Sequence, residues 1–441
     1  MKNKIDNWAT QEFSGIDLGD QRLNNRAMKL VNDFSKHPEF SINQASDDWS
    51  AAKAAYRFFQ NDNFSEQDLL APHFKNTAER CTKHKCVLVI QDTSIIGYSH
   101  HPMSQGLGRI GGHPDPASVV HGFYIHPALA MTTEGLPLGL LSNEMWSRND
   151  SKPKSDKRTD HLIHTEDKES FKWINALEKT YEILEAKLNT ITICDRECDI
   201  FDFYLSAIDL KTNVIVRFRD ERQVGTRSAP ELLSQKFART QAYRETVKIK
   251  VPIEELGRKN NKKSTKYREA ILEIKSTAIT LMPSRKATQV VKENIHIYAV
   301  EAKEINPPTG LEAAHWILLM TLPVDSFEGS MMVVQFYSMR WKIESYFKVL
   351  KSGCTVEKCR LAECDRLMKY LALLSVVAWR IYWLTFVRRI DPDISCDVVL
   401  TQDEWQTLFT YFTKLKTIPE KPPTINQATI WLAPGFRKDV V

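Results

Sequence analysis

The stretch YSMRWKIESYFKVLK, residues 337–351, decides how the rest of this sequence is interpreted. On an α-helix, five of its polar side chains fall on one stripe about 80° wide, and the apolar side chains face the other way. An arbitrary helix of this kind is a solvated face with ion pairs four residues apart. The stripe holds one carboxylate, three cations and a phenol: Glu344, Arg340, Lys348, Lys351 and Tyr337.

Two isolated carboxylates elsewhere make a functional interpretation of this stripe more attractive. Asp92 ends the apolar run CVLVIQD, and Asp195 ends the apolar run TITICD. Both runs have the length and composition of buried β-strands. We therefore expect the two aspartates at strand ends, where a following turn exposes a side chain.

The order of predicted elements indicates an α/β layout. A strand ending at Asp92 is followed by a hairpin (residues 123–131 and 137–146), a helix near residues 165–188 and a second strand ending at Asp195. Another helix follows, and then a third strand, NVIVRFR, which contains Arg217 and Arg219. Such an alternation of strands and helices is typical of an α/β fold.

The chain divides into five predicted segments. They are a helical N-terminal segment (1–80), the first part of an α/β core (81–219), a β-rich basic insertion (220–324), the second part of the core with Glu344 (325–365) and a helical C-terminal region (366–441). The basic helical face of the first segment is of a kind that can enter a DNA groove.

Composition and charge limit the class of protein. The chain has 441 residues, of which 42% are hydrophobic and 26% charged, as expected of a globular protein. Its N-terminus has no secretory signal, and the apolar residues 370–387 contain Arg380 at their centre, which favours a buried helix over a membrane span. Eight cysteines without a signal predict free thiols in a reducing, cytoplasmic compartment.

The positive charge is concentrated in the insertion. Residues 236–292 contain 15 Lys or Arg against 5 Asp or Glu, although the formal net charge of the whole chain is only +5. This excess predicts a polyanion as partner, with a solvated loop as the alternative for residues 257–268.

Two motifs suggest other chemistries and are set aside. GLGRIG (106–111) matches a dinucleotide-binding pattern, but no strand leads directly into it and Pro-rich sequence follows. Five histidines between His100 and His126 lack a zinc-ligand spacing, as do the cysteines. Loop histidines and structural cysteines are the favoured interpretations.

Three carboxylates on separate rigid elements suit two-metal chemistry on phosphodiesters. Two Asp and one Glu can hold a pair of Mg²⁺ ions about 3.5–4 Å apart. Arg340, Lys348 and Lys351 beside Glu344 would then neutralise the DNA backbone around the scissile bond.

The spacing of Tyr337, Arg340, Glu344 and Lys351 resembles the YREK signature of bacterial insertion-sequence transposases of the DDE superfamily, in particular the cut-and-paste group to which the transposase of the kanamycin-resistance composite transposon belongs. The similarity extends in order along nearly the whole chain. The segments that carry it are LGDQRL (18–23), AYRFFQN (55–61), VIQDTS (89–94), ICDRECDI (193–200), EINPP (304–308) and HWILL (315–319).

This resemblance implies an RNase H-like fold with Asp92, Asp195 and Glu344 as catalytic and metal-binding triad, using Mg²⁺ or Mn²⁺. Such enzymes cut the transposon end, form and reopen a DNA hairpin, and join the end to target DNA. Trp316 matches an aromatic on which a flipped base stacks. The other positions implied to contact DNA are Arg217, Tyr337, Arg340, Lys348 and Lys351.

The resemblance also implies a homodimer in the synaptic complex, with a C-terminal region that is shorter here than in the family. Two other functions remain open from the sequence. One is a metal-dependent nuclease of RNase H-like fold without a joining step. The other is an idle relative that occupies transposon ends or inhibits an active transposase.

Overall fold

The computed structural model describes most of the chain in nine stretches. They are residues 8–98, 105–111, 119–148, 169–185, 188–252, 267–283, 293–400, 402–415 and 417–432. Two of the sequence expectations fall on residues outside these stretches. They concern the basic stretch 257–268, most of which is not described, and the C-terminal residues 433–441.

The N-terminal part is helical, as predicted. Its helices are α1 (Trp8–Glu12), α2 (Gln21–Lys36), α3 (Ile42–Ala45), α4 (Trp49–Phe59) and α5 (Glu66–Cys81). Side-chain caps begin four of them: Asp20, Ser41, Asp48 and Ser65 each accept a hydrogen bond from the backbone of the first turn.

The first half of the sheet contains the predicted strands and hairpin. Its strands are β1 (Cys86–Gln91), β2 (Ser94–Gly97), β3 (Gly108–Gly111), β4 (Val120–Thr132), β5 (Pro137–Trp146), β6 (Asn189–Cys194) and β7 (Asn213–Arg217). Helix α6 (Phe171–Ile183) precedes β6, and α7 (Phe201–Asp209) precedes β7. This order confirms the predicted α/β layout of the segment. GLGRIG contributes strand β3, which pairs with β4.

The insertion is β-rich and antiparallel, also as predicted. It contains β8 (Gln223–Thr226), β9 (Ala229–Leu232), helix α8 (Leu233–Arg239), β10 (Thr246–Pro252), β11 (Tyr267–Leu281), β12 (Ile295–Glu304) and β13 (His315–Met320). Strand β13 pairs with β7, with Leu318 opposite Arg217. The insertion therefore extends the sheet of the preceding segment rather than forming a separate one.

All described strands belong to one mixed sheet. The order is β2-β4-β1-β6-β7-β13-β12-β11-β8-β9, with β10 on β11 and with β3 and β5 on β4. Strands β1, β6 and β7 are mutually parallel, and the other pairs are antiparallel.

The remaining helices follow the sheet in the chain. They are α9 (Phe327–Ser338), α10 (Lys342–Lys348), α11 (Cys364–Ile390), α12 (Gln402–Thr413) and α13 (Ile425–Leu432). The predicted continuous α-helix over residues 337–351 is wrong. A 3-10 turn, Met339–Trp341, separates α9 from α10, and a π-helical turn, Val349–Gly353, follows α10.

Helix α11 is the apolar helix expected near residues 366–387. Within the described residues it alone is long and apolar enough to cross a membrane by length and composition, but 67% of its apolar window is buried inside the protein. Tyr370 packs edge-on against Phe34 and Phe59, and the Lys369 ammonium donates to the carbonyl oxygen of Asn61 at 2.7 Å. Such burial is that of a core helix. All eight cysteines, which fall in described stretches, are free.

A buried polar network ties α1 and α5 to strand β5. The imidazole of His73 is fully buried; its Nδ1 lies against the Glu12 carboxylate, and its Nε2 accepts the backbone N–H of Leu140 at 3.0 Å. The ring is therefore neutral and donates from Nδ1. Arg80 forms two hydrogen bonds of 2.9 Å to the same carboxylate. Burial alone would raise the pKa of Glu12, but the bonds from His73 and Arg80 outweigh it and lower the pKa to about 2.

We expect Glu12→Gln to lower the free energy of unfolding by about 3 kcal/mol at pH 7, because it removes the charge that pairs with Arg80 in a buried site. A carboxylate whose pKa is lower in the folded state than in the unfolded state stabilises the folded protein at pH values above its unfolded pKa. The difference between wild type and Glu12→Gln should therefore shrink as the pH falls from about 4.5 towards 2. Urea unfolding followed by tryptophan fluorescence measures both effects.

The matched control is Arg22→Ala, which removes an ion pair whose Arg22 side chain is 91% exposed. Its urea midpoint should differ little from that of wild type, because exposed ion pairs contribute little. A wild-type midpoint for Glu12→Gln at pH 7 would contradict the role of this network.

Candidate active site

The parallel pairing of β1 with β6 brings Asp92 and Asp195 to the same edge of the sheet. Ile90 of β1 lies opposite Ile193 of β6, and each aspartate follows two residues later. The carboxyl ends of neighbouring parallel strands are a common location for functional side chains. The predicted placement of both aspartates at strand ends is confirmed.

Local hydrogen bonds orient both carboxylates. Oδ1 of Asp92 accepts the backbone N–H of Thr93 at 2.8 Å. Oδ1 of Asp195 accepts the backbone N–H of Glu197 at 2.8 Å and so caps the short 3-10 turn Arg196–Cys198. Each aspartate thus keeps its second oxygen for other partners.

Arg340 joins Asp92 to Glu344. Its Nη1 donates to Oδ2 of Asp92 at 2.9 Å, and its Nη2 donates to Oε1 of Glu344 at 3.0 Å. The side chains of Arg340 and Asp92 are each 16% exposed, whereas Glu344 is 36% exposed. The guanidinium of Arg340 therefore bridges Asp92 and Glu344, which are 252 residues apart in the sequence.

The electrostatics of Asp92 reflect a crowded site. Burial raises its pKa, and the nearby carboxylates of Asp195 and Glu344 raise it further. The positive charge of Arg340 and the hydrogen bond from Thr93 act in the opposite direction, and the resulting pKa is about 6. Burial and the neighbouring carboxylates thus both disfavour the ionised form of Asp92.

The broken helix explains why the expected exposed stripe is not formed. Tyr337 at the end of α9 is buried, with 5% of its surface exposed, so its prediction as an exposed residue is wrong. Arg340 lies in the 3-10 turn and points to the carboxylates. Lys348 at the end of α10 is exposed, and Lys351 lies in the π-helical turn.

An aromatic pair lies beside the acids. Trp316 of β13 is partly buried and meets the ring of Tyr337 edge-on, with centroids 5.5 Å apart. The pKa of Tyr337 is raised by burial and is sensitive to the charges of Arg340, Arg217 and Asp195. The tyrosine thus connects Trp316 to the charged centre.

The sequence analysis did not identify the residues that support this centre. His126 of β4 is fully buried, with its Nδ1 2.9 Å from the hydroxyl oxygen of Thr93. In β4, His126 lies two residues before Ala128, which pairs with Gln91 of β1. Knowledge of this pairing would have placed His126 beside the end of β1. A single sequence does not provide that register.

Asp199 is a second supporting residue. Its buried carboxylate accepts the hydroxyl of Tyr204 and the backbone N–H of Arg219, each at 3.0 Å, and pairs with Arg222. Burial raises the pKa of Asp199. These contacts tie the segment after Asp195 to the chain beyond β7.

The three acids suit a divalent cation by chemistry but not by their present arrangement. Carboxylate oxygens are the ligands that Mg²⁺ and Mn²⁺ prefer. Within the described stretches, however, no group of three His, Cys, Asp or Glu side chains is placed to hold a metal ion. Asp92 and Glu344 are instead bridged by Arg340.

Comparison with protein families identifies the N-terminal helices. Residues 5–64 match a family model described as transposase DNA-binding. The match extends through α4 and ends before α5 begins at Glu66. The predicted DNA-binding role of the N-terminal part is thereby supported, and DNA is the partner that this finding indicates. Residues 5–64 are thus similar to a transposase DNA-binding region, which supports a transposase.

Proposed function

We propose that the protein is a DDE transposase that performs cut-and-paste transposition. The observation that carries the proposal is the closeness of Asp92 to Asp195 and to Glu344, with Arg340 bridging Asp92 and Glu344, in a chain whose residues 5–64 match a transposase DNA-binding family. Acids from three distant segments gain nothing in stability from this crowding. A shared catalytic role accounts for it.

The catalytic core is proposed to be RNase H-like. The order of β1, hairpin β4/β5, α6, β6, α7 and β7 supports it, since it places Asp92 and Asp195 side by side. Asp92, Asp195 and Glu344 would hold two Mg²⁺ or Mn²⁺ ions. When bound, such ions activate the attacking water or 3′-hydroxyl and stabilise the leaving oxygen.

The residues around the triad would position DNA. Arg217, Arg340, Lys348 and Lys351 carry the positive charge that phosphates require, and the partly exposed ring of Trp316 offers a surface for a flipped base. Formation of a hairpin forces a base out of the stack, and contact with an aromatic ring offsets part of that cost. Tyr337 would support this ring through its edge-on contact.

The proposed partners are transposon ends, target DNA and a second copy of the chain. Cut-and-paste transposition brings two DNA ends together, so a homodimer in the synaptic complex is part of the proposal. The C-terminal helices α12 and α13 belong to the segment expected to dimerise.

Incubation of the full chain with end DNA, a target plasmid and Mg²⁺ tests the proposal. The end DNA is any inverted repeat found in the DNA that flanks the coding region. Joined products support a transposase. Cleavage without joining indicates an RNase H-like nuclease, and a gel shift without cleavage indicates an idle or inhibitory relative.

We expect Glu344→Gln to bind end DNA like wild type, because glutamine keeps the side-chain volume and an acceptor for Arg340. The rate of first-strand nicking should fall on the order of a thousandfold, because the substitution removes a charged group needed in the transition state. A gel shift and a nicking time course measure the two properties. Glu357→Gln, which changes an acid whose carboxylate accepts the backbone N–H of Gly97, is the control. Wild-type nicking by Glu344→Gln would refute the assignment.

We expect Trp316→Ala to slow hairpin formation by roughly tenfold, because stacking of a base on an aromatic ring contributes about 1–3 kcal/mol. First-strand nicking does not require the flipped base and should change little. Denaturing gels that separate nicked, hairpin and reopened products measure each step. Trp316→Phe should recover most of the hairpin rate, and equal slowing of both steps would exclude the flipped-base role.

A further inference from the structure

Arg340 binds the acids through two different nitrogens. Nη1 contacts Oδ2 of Asp92, and Nη2 contacts Oε1 of Glu344. A planar guanidinium with several fixed donors can satisfy two carboxylates at once, which the single ammonium of a lysine does less well. The arrangement depends on the shape of the arginine fork as well as on its charge.

The backbone places Arg340 for this contact. It lies in the 3-10 turn Met339–Trp341, one turn ahead of Glu344 in α10, and its side chain is 16% exposed. Tyr337 lies on its other side and is also influenced by the charge of Arg340. The guanidinium is therefore held in a largely buried site and not on a mobile surface side chain.

A divalent cation and Arg340 compete for the same atoms. A metal ion shared by Asp92 and Glu344 would take oxygens that now accept from Arg340, and it would place a further positive charge beside the guanidinium. At such short range, like charges in a largely buried site repel strongly. An ion held by both carboxylates would therefore bind more weakly while Arg340 stays in contact with them.

We propose that Arg340 is a resident counter-ion that occupies the metal position of the DNA-free protein and moves to a DNA phosphate when DNA binds. This inference rests on the proposed function, because it needs the triad to be the metal site. A phosphate offers Arg340 a charge-assisted, two-pronged partner equivalent to the pair of carboxylates. DNA binding then frees Asp92 and Glu344, so that DNA and metal bind cooperatively.

Reciprocal linkage makes the proposal measurable without any assay of activity. If DNA removes Arg340 from the acids, DNA must raise the affinity for the metal, and the metal must raise the affinity for DNA by the same factor. A DNA-free protein would hold its metal weakly. Cutting chemistry would then be confined to the complex with DNA.

The experiment is a titration of the full chain with Mn²⁺, followed by calorimetry and by water-proton relaxation. For Arg340→Gln without DNA, we expect Mn²⁺ affinity to rise on the order of tenfold over wild type, within the usual range of coupling factors. Arg340→Lys, which keeps the charge but not the fork, should lie between the two. Thermal unfolding of each variant shows whether it is folded.

The matched control is Lys358→Ala, which removes a positive charge from an exposed position in the 3-10 turn Val356–Lys358. Its Mn²⁺ affinity without DNA should stay within about twofold of wild type, since a screened surface charge acts weakly. An increase equal to that of Arg340→Gln would mean that general charge, not occupation of the site, sets the affinity, and it would overturn the proposal.

A second titration adds a duplex that carries the flanking inverted repeat, with a random duplex of equal length as comparison. In wild type the repeat should raise Mn²⁺ affinity on the order of tenfold, and in Arg340→Gln it should raise it much less. An undiminished effect of DNA in the variant would overturn the proposal.

Asp92→Asn separates failure of this inference from failure of the proposed function. If Asp92→Asn abolishes Mn²⁺ binding but Arg340→Gln binds no more tightly than wild type, the triad holds the metal and Arg340 does not block it. If Asp92→Asn binds Mn²⁺ as wild type does, the triad is not the metal site, and both the proposed site and this inference are wrong.

Discussion

The parallel pairing of β1 with β6 is the constraint on which the site depends. Because Ile90 lies opposite Ile193, the two following aspartates leave the sheet at the same edge and at the same height. Both strands are buried and apolar, so a register shift by one residue would turn their side chains to the wrong faces. The hydrophobic core thus fixes the separation of Asp92 and Asp195.

Charge balance governs the third acid. Glu344 reaches the aspartates from α10, and Arg340 compensates the negative charge that accumulates there. Uncompensated carboxylates in a largely buried site would take up protons or push the helix away. Burial, with a smaller effect of the neighbouring carboxylates, raises the pKa of Asp92 to about 6 despite the opposing charge of Arg340.

Buried hydrogen bonds connect the N-terminal helices to the sheet and to α11. Glu12, His73 and Arg80 link α1 and α5 to β5, and Lys369 links α11 to the chain after α4. Such contacts hold α1 and the chain after α4, which lie within the residues that match a transposase DNA-binding family, against α5, β5 and α11. Insertion strand β13 likewise brings Trp316 beside Tyr337 by pairing with β7.

Local patterns in the sequence were sufficient to predict the helices before residue 81, the strands that lead to Asp92 and Asp195, and the buried helix α11. The spacing of apolar residues and the helix caps depend only on residues that are neighbours in the sequence. The break of residues 337–351 into α9, a 3-10 turn and α10 escaped that analysis, because packing overrode helical period. Arg340 was expected to face DNA, and only the tertiary structure placed it on Asp92. Contacts between residues far apart in sequence depend on how the whole chain packs, and no local pattern encodes them.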